Sequence, residues 1–166
     1  KYRKKLHQCK QEGGIMQISS RFTIAVHVLT CVAVLDGQMP LNSETIAGSV
    51  GVNPVAVRNI FRQLKAAGLI TVQRGGNGGV ALARKLSEIT LLDVYRAVDS
   101  VESGQLFHFH ENPNAACPVG RNIHHVMDGR LAEIQDAMEQ KMATMTLADV
   151  VTDTEARIGK EAQQAG

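Results

Sequence analysis

The chain has 166 residues, 44% of them hydrophobic, which suffices for one compact domain or a small domain with an extended arm. It contains no apolar run near the ~20 residues of a membrane span and no hydrophobic segment of a secretion signal. Its three cysteines, Cys9, Cys31 and Cys117, are too widely spaced for a zinc knuckle or a disulfide framework. These features predict a cytoplasmic protein with no membrane partner.

Charge divides the chain into a basic first half and an acidic second half. Residues 1–15 and 16–85 carry net charges of +4 and +5, whereas residues 86–166 carry −7. This asymmetry predicts that only the first half meets a polyanion. An uneven solvated surface without function is the alternative if charge is considered alone.

Residues 1–15 are polar, basic and without helical or strand periodicity. Residues 11–14 can be reverse-translated into a purine-rich ribosome-binding sequence shortly before a start codon for Met16. We therefore interpret residues 1–15 as a translated leader or disordered tail. The alternative is a basic arm that touches DNA.

The first patterned segment, residues 22–35, is almost wholly apolar and predicts a helix buried on most sides. Ser19 or Ser20 is suited to cap this helix. His27 and Cys31 lie four residues apart on it and could share a metal. Two ligands are too few, however, and packing in the core explains both residues more simply.

The next stretch has the pattern of a helix-turn-helix. A short helix capped by Asn42 or Ser43 ends at Gly51, and a second helix begins at Pro54, where the missing N–H costs nothing. Helices that cross through a tight turn need a small residue at their contact, here Ala47, and tolerance of positive φ in the turn, here Gly51. The apolar positions of the pattern are Ile46, Val50, Val52, Val57, Ile60, Phe61 and Leu64.

The second of these helices exposes side chains suited to reading DNA. Amides pair with adenine edges, arginine with guanine or phosphate, and small apolar groups with thymine methyl groups. The candidate DNA-binding residues here are Asn53, Val55, Ala56, Arg58, Asn59 and Arg62. Ser20 and Arg21, at the start of the first helix, are candidates as well.

Residues 69–73 alternate like a strand, and residues 80–84 form the predicted partner strand. The glycine-rich segment between them, RGGNGG, could bind a nucleotide phosphate, but neither a Lys–Ser/Thr pair nor a helix follows it. A hairpin tip that points Arg74 and Asn77 toward DNA is the better interpretation. A helix-turn-helix followed by a basic hairpin predicts a winged helix over residues 16–85.

With these motifs established, the chain resembles the Rrf-two family of winged-helix regulators, which includes the iron–sulfur cluster regulator and the nitric-oxide-sensing repressor. The resemblance runs from about residue 17 to residue 151 and is carried by the segments ISSR (18–21), VAVRNIF (55–61), LKAAGLI (64–70), RGGNGG (74–79), TLLDVY (90–95) and TLADV (146–150). It implies a homodimer that binds a palindromic operator, usually as a repressor. Cluster-binding members carry three closely spaced cysteines, whereas residues 101–117 hold only Cys117. We therefore expect no iron–sulfur cluster and no other cofactor.

The second half of the chain predicts a linking helix capped by Thr90 and a sensor-region loop within residues 86–116, then a long helix within residues 117–151. An apolar stripe along the long helix is sustained for roughly six turns, which favours pairing across a two-fold axis. Docking within one chain is the alternative for part of it. Residues 152–166 are expected to form a polar tail. The stripe comprises Ile123, Met127, Leu131, Ile134, Met138, Met142 and Met145, and the first six of these form the predicted dimer interface.

Four histidines and one thiol flank the start of the long helix. Their spacing fits no standard zinc site, so surface histidines and a lone thiol are the simpler interpretation, and no metal is expected. Cys117 precedes Pro118 near the helix start, where a thiolate would be stabilised, which makes it a candidate sensor. Simple packing of Cys117 is the alternative. The group comprises His108, His110, Cys117, His124 and His125.

The sequence thus predicts a mainly α fold with a small β wing: a winged helix-turn-helix followed by a long dimerisation helix. No catalytic constellation is present, so the predicted function is sequence-specific transcription regulation rather than catalysis. The expected partners are a double-stranded DNA operator, a second copy of the chain and an unidentified effector. A protein-interaction regulator whose winged domain does not bind DNA specifically is the alternative.

Overall fold

The structure, a computed structural model, describes residues 20–73, 79–98, 110 and 112–164. The predicted leader, Ser19, His108 and the wing tip with Arg74 and Asn77 lie outside these residues. The predicted mainly α fold with a small β wing is confirmed. The elements are α1 (Arg21–Val34), α2 (Ser43–Val50), α3 (Pro54–Ala66), β1 (Ile70–Val72), β2 (Val80–Leu82), a 3-10 turn (Leu86–Glu88), α4 (Leu91–Val98), α5 (Pro118–Ala143) and α6 (Leu147–Gln164).

Helix α1 lies at the centre of the fold, as its apolar composition predicts. Ala25, Val28 and Leu29 have no exposed surface, and Val32 is 2% exposed. Helices α2, α3, α4 and α6 all pack against α1, so one hydrophobic core serves the described part of the chain. Cys31 is buried in this core, as expected. The expectation that His27 also packs in the core is wrong: His27 is exposed, with Nε2 3.2 Å from the Ser49 hydroxyl.

The prediction that a serine side chain caps α1 is wrong for Ser20. Ser20 occupies the N-cap position but makes no capping bond, because its own backbone is already helical (φ −63°, ψ −7°). Its carbonyl instead accepts bonds from the Thr23 hydroxyl and the Ile24 N–H, both at 2.9 Å.

The turn between α2 and α3 is formed as predicted. Asn42 caps α2 by accepting a bond from the Thr45 N–H at 2.8 Å. Gly51 ends α2 with φ +74°, a conformation that favours glycine, and donates its N–H to the Ala47 carbonyl. Two residues later, Asn53 caps α3.

The two strands form an antiparallel hairpin in which Thr71 faces Ala81 and Val72 faces Val80. The base of the hairpin is tied to the loop before α2, because the Val80 N–H donates to the Leu41 carbonyl at 3.1 Å. The wing is therefore anchored beside the helix-turn-helix.

Helices α4 and α6 begin side by side. Thr90 and Asp93 cap α4 reciprocally, with both bonds at 3.0 Å, and Thr146 and Asp149 cap α6 in the same way. The Leu147 N–H donates to the Ile89 carbonyl at 2.8 Å, which joins the two starts. The Leu147–Ile89 bond attaches the start of α6, which follows the long helix, to the residues before α4.

Helix α6 includes most of the segment that was expected to be a polar tail: residues 152–164 are helical. Although polar residues dominate that segment, Val151, Thr154 and Ile158 recur at helical spacing. Val151 is buried, and α6 packs on α1. None of the described helices has the length and apolar composition needed to cross a membrane.

Candidate nucleic-acid interface

Helix α3 has two clearly different sides. Val57, Ile60, Phe61 and Leu64 are buried in the core. The opposite side exposes Val55, Arg58, Asn59 and Arg62, and Ala56 is half-buried beside them. Because Asn53 and Pro54 fix where the helix begins, they also fix which residues face outward. The exposed surface has two arginines and an amide but no acidic residue.

Arg58 is held at the junction of the two helices of the motif. Its guanidinium donates to Glu44 Oε1 at 3.0 Å and to the Ser43 hydroxyl at 3.3 Å. The Ser43 hydroxyl in turn donates to Glu44 Oε2 at 2.9 Å, and this bond, more than Arg58, lowers the pKa of the Glu44 carboxyl. Both members of the ion pair are more than half exposed, so it adds little to stability. It does orient the guanidinium, and a DNA phosphate or guanine could compete for it.

Glu44 was not among the residues predicted for this site. An acidic residue in the first turn of a helix is ordinarily explained by its favourable interaction with the helix dipole. Its contact with Arg58 depends on how α2 and α3 cross, which spacing along the chain does not specify.

Asn59 and Arg62 form a second polar pair, one turn apart on α3. The Arg62 guanidinium donates to Asn59 Oδ1 at 3.1 Å. An amide oxygen has two lone pairs, and the amide nitrogen carries two N–H donors, so Asn59 retains the groups required to pair with adenine.

Asn53 has a structural role at the start of α3. Its Oδ1 accepts a bond from the Val55 N–H at 2.8 Å. The exposed side chains of Ser20 and Arg21 lie at the start of α1, not on α3. The structure thus groups Arg58, Asn59 and Arg62 on one helix.

A cavity of about 230 Å³ separates α3 from the base of the wing. Ser43, Arg58, Phe61, Val72 and Val80 are among its lining residues. Arg58 therefore lies where α2, α3 and the hairpin meet.

Helix α5 has no buried residue over its 26 positions. Its C-terminal part contacts α4 through the Arg96–Glu139 ion pair at 2.7 Å. Ile134, on the apolar stripe, is 51% exposed, and Val119 and Val126 on the first half of the helix are 68% and 49% exposed. The other five residues of the predicted dimer interface are half-buried: Ile123, Met127, Leu131, Met138 and Met142.

Cys117 occupies the N-cap position of α5, followed by Pro118, as predicted. The backbone N–H groups of Gly120 and Val119 lower the pKa of its thiol. The His110 and His124 rings lie 6.0 Å apart, and His124 Nδ1 is 3.3 Å from an Asp128 oxygen. Within the part of the chain that the structure describes, no three His, Cys, Asp or Glu side chains converge on a metal site.

Comparisons with known proteins agree with this architecture. Residues 18–153 match the Rrf2 (Rrf-two) family, described as "Iron-dependent Transcriptional regulator". The chain is 41% identical over 134 residues to YwnA, a proposed HTH-type transcriptional regulator of Bacillus subtilis (strain 168), covering 81% of this chain and 96% of YwnA.

Two solved structures share the fold. The crystal structure of a proposed DNA-binding protein is 37% identical, with a TM-score of 0.62, covering 79% of this chain and 98% of that one. IscR of T. potens is 22% identical, with a TM-score of 0.63, covering 85% of this chain and 90% of that one. The family match spans most of the chain and includes both the helix-turn-helix and the long helix. The chain therefore belongs to the Rrf2 family of winged-helix transcriptional regulators and is not an enzyme.

Proposed function

We propose that this regulator is a homodimeric repressor of the cytoplasm that binds a palindromic DNA operator. The observation that carries the proposal is the exposed side of α3, where Arg58, Asn59 and Arg62 stand together on a helix fixed by its cap. Such side chains read base edges in the major groove. Ser20, Arg21, Arg74 and Asn77 are proposed to contact the backbone or the adjacent groove.

The apolar stripe of α5 supports the homodimer. A 26-residue helix without a buried residue leaves its apolar side chains partly in water in the described part of the chain, and covering them with another chain is favourable. A second copy brings an identical stripe, and a two-fold dimer of this kind places two α3 helices in successive major grooves. Two-fold symmetry of the protein is what makes the operator palindromic.

Selection of bound sequences from a random DNA library tests the proposal. The expected product is an inverted repeat whose half-sites are centred about 10 base pairs, or a multiple of that, apart. The affinity should fall steeply with salt, because lysine and arginine release counterions from the phosphates. Enrichment of no sequence, or of a single unrepeated half-site, would contradict it.

The second candidate is a regulator that acts by binding proteins, with a winged domain that does not bind DNA specifically. The Glu44–Arg58 ion pair favours it, because this pair already engages one of the arginines. In that case, binding to the library would be absent or insensitive to sequence. Strong selection of one motif would exclude this candidate.

We propose further that this regulator works without an iron–sulfur cluster. A cluster site needs about three closely placed thiolates, whereas the chain has three cysteines in all, with Cys31 buried in α1 and Cys117 at the start of α5. The purified protein should be colourless and bind its operator without added iron or sulfide. Visible absorption that disappears together with operator binding would contradict this.

Cys117 is the proposed sensor residue. Its thiol is half-buried at the start of the proposed dimerisation helix, where the helix N–H groups stabilise the thiolate. Oxidation there would shift α5 and alter the separation of the two recognition helices, which the half-site spacing does not tolerate.

Titrating operator binding with hydrogen peroxide tests this role. The wild type should lose affinity at least several-fold, Cys117→Ser should resist, and Cys31→Ser should behave like the wild type because that thiol is buried. Equal loss in the wild type and Cys117→Ser would assign the response to another group.

A further inference from the structure

A cavity of about 450 Å³ lies between α1, α2 and α6, away from the exposed side of α3. Small-molecule sites commonly measure roughly 300–1,000 Å³. Residues from three separate elements form its walls, so its shape depends on how those elements pack. The lining residues from α2 and α6 are Ser49, Val150, Thr154 and Ile158, and the rest belong to α1 and the residue that follows it.

Half of the polar side chains in the walls, those of Thr23, Thr30 and Thr154, are already used in local bonds to the backbone. The Thr30 hydroxyl donates to the Val26 carbonyl at 2.9 Å, and the Thr154 hydroxyl donates to the Val150 carbonyl at 2.7 Å. The remaining wall is largely aliphatic. Among the described residues that line the cavity, none is Asp, Glu, Lys or Arg. Burial of a charged ligand would therefore lack a counter-charge.

One group of polar side chains joins two of the walls. The Ser49 hydroxyl lies 3.2 Å from His27 Nε2 and accepts a bond from the Cys31 thiol at 3.4 Å. His27 and Ser49 are exposed, so a molecule in the cavity can exchange hydrogen bonds with them. This arrangement gives His27 and Cys31 a joint role that their spacing alone did not reveal. A few polar groups on an apolar wall are what orient a ligand in such sites.

We propose that this cavity binds a small neutral molecule, aromatic or aliphatic, with one phenol-, arylamine- or carbonyl-type polar group directed at Ser49 and His27. The aliphatic walls bury the apolar body, and the absence of Asp, Glu, Lys and Arg from the described lining selects against ionised compounds.

The position of the cavity couples such a ligand to DNA binding. Ser49 belongs to α2 of the helix-turn-helix, and Val150, Thr154 and Ile158 belong to the helix that follows α5. A ligand that contacts both sets favours one arrangement of α2 relative to α6. The coupling rests on the proposed function, whereas ligand binding itself does not.

The neutral fluorophore N-phenyl-1-naphthylamine, which brightens in apolar sites, serves as the probe for the intact protein. The wild type should bind it saturably, with one molecule per chain. Thr154→Phe fills the cavity from α6 and should weaken binding at least tenfold. Thr152→Phe makes the same substitution at an exposed position outside the cavity and should leave binding unchanged. Should Thr154→Phe lose its helical circular dichroism, Val150→Phe fills the same space.

Absence of saturable binding, or equal affinity in the two phenylalanine variants, would overturn the proposal. A second copy of the chain is the rival occupant. If the dimer fails to bind the probe while monomers of Ile134→Glu bind it, the partner fills the cavity and the proposal is wrong.

The coupling has a separate readout. Saturating probe should change operator affinity about fivefold or more. An operator affinity that saturating probe leaves unchanged would overturn the coupling. Operator binding itself is measured without probe, so failure of the coupling and failure of the proposed function are distinguishable.

Discussion

Replacing Ile134 with glutamate should convert the proposed dimer into monomers. Ile134 is half exposed in the single chain, so the substitution leaves the protomer's core intact, but in the proposed dimer it places two unpaired carboxylates in an apolar interface. A cost of roughly 3 kcal/mol or more corresponds to a rise of over a hundredfold in the dimer Kd. Sedimentation velocity at micromolar concentration measures it.

Ala132→Glu is the matched control. It makes the same charge change two residues away on α5, at an exposed position that does not belong to the apolar stripe. It should remain dimeric and bind the operator like the wild type. If Ile134→Glu also remains dimeric, the chains associate through another surface.

The second large effect is expected on the choice of bases in the operator when Asn59 is replaced. Asn59→Ala removes the only side-chain amide within the exposed set on α3 and should cost about 1–3 kcal/mol at one operator position. Because Arg62 donates to Asn59 Oδ1, the substitution also releases that guanidinium, so overall affinity changes less than specificity. Repeating the library selection with the variant measures the loss.

Gln140→Ala is the control for the loss of an amide. Gln140 is exposed on α5, away from the stripe, and its replacement should leave the selected sequence unchanged. An unchanged consensus with Asn59→Ala as well would show that α3 does not read bases through this residue.

Much of the winged domain could be predicted because its determinants are local. Asn42, Gly51, Asn53 and Pro54 set both ends of α2 and the start of α3, and the structure places all four as expected. The buried and exposed sides of α3 follow from its helical period once those ends are known.

The contacts that sequence patterns did not reveal all join distant parts of the chain. Glu44 reaches Arg58 only because α2 and α3 cross at a particular angle. The helical continuation to Gln164 was hidden by a polar composition, because only Val151, Thr154 and Ile158 mark the side that lies along α1. The cavity that Thr154 and Ile158 help enclose depends on that packing and could not be inferred from spacing.

Helix α5 could be predicted from the sequence only in part. Its apolar stripe was visible in the sequence, and the half exposure of Ile134 agrees with a surface that a second chain covers. The partner of that surface, however, depends on contacts between chains, which the fold of one chain does not contain.

Binding as a dimer to a palindromic operator is tested most directly with two DNA duplexes of equal length. One contains the selected inverted repeat and the other a single half-site, and both are measured at the same salt concentration. The affinity of the wild type for each is measured by fluorescence anisotropy, and the mass of each complex by sedimentation. A linked pair of recognition helices should bind the full repeat at least a hundredfold more tightly, as one complex containing two chains. Equal affinities, or a saturated complex with one chain per repeat, would show that the protein does not bind DNA as a linked pair.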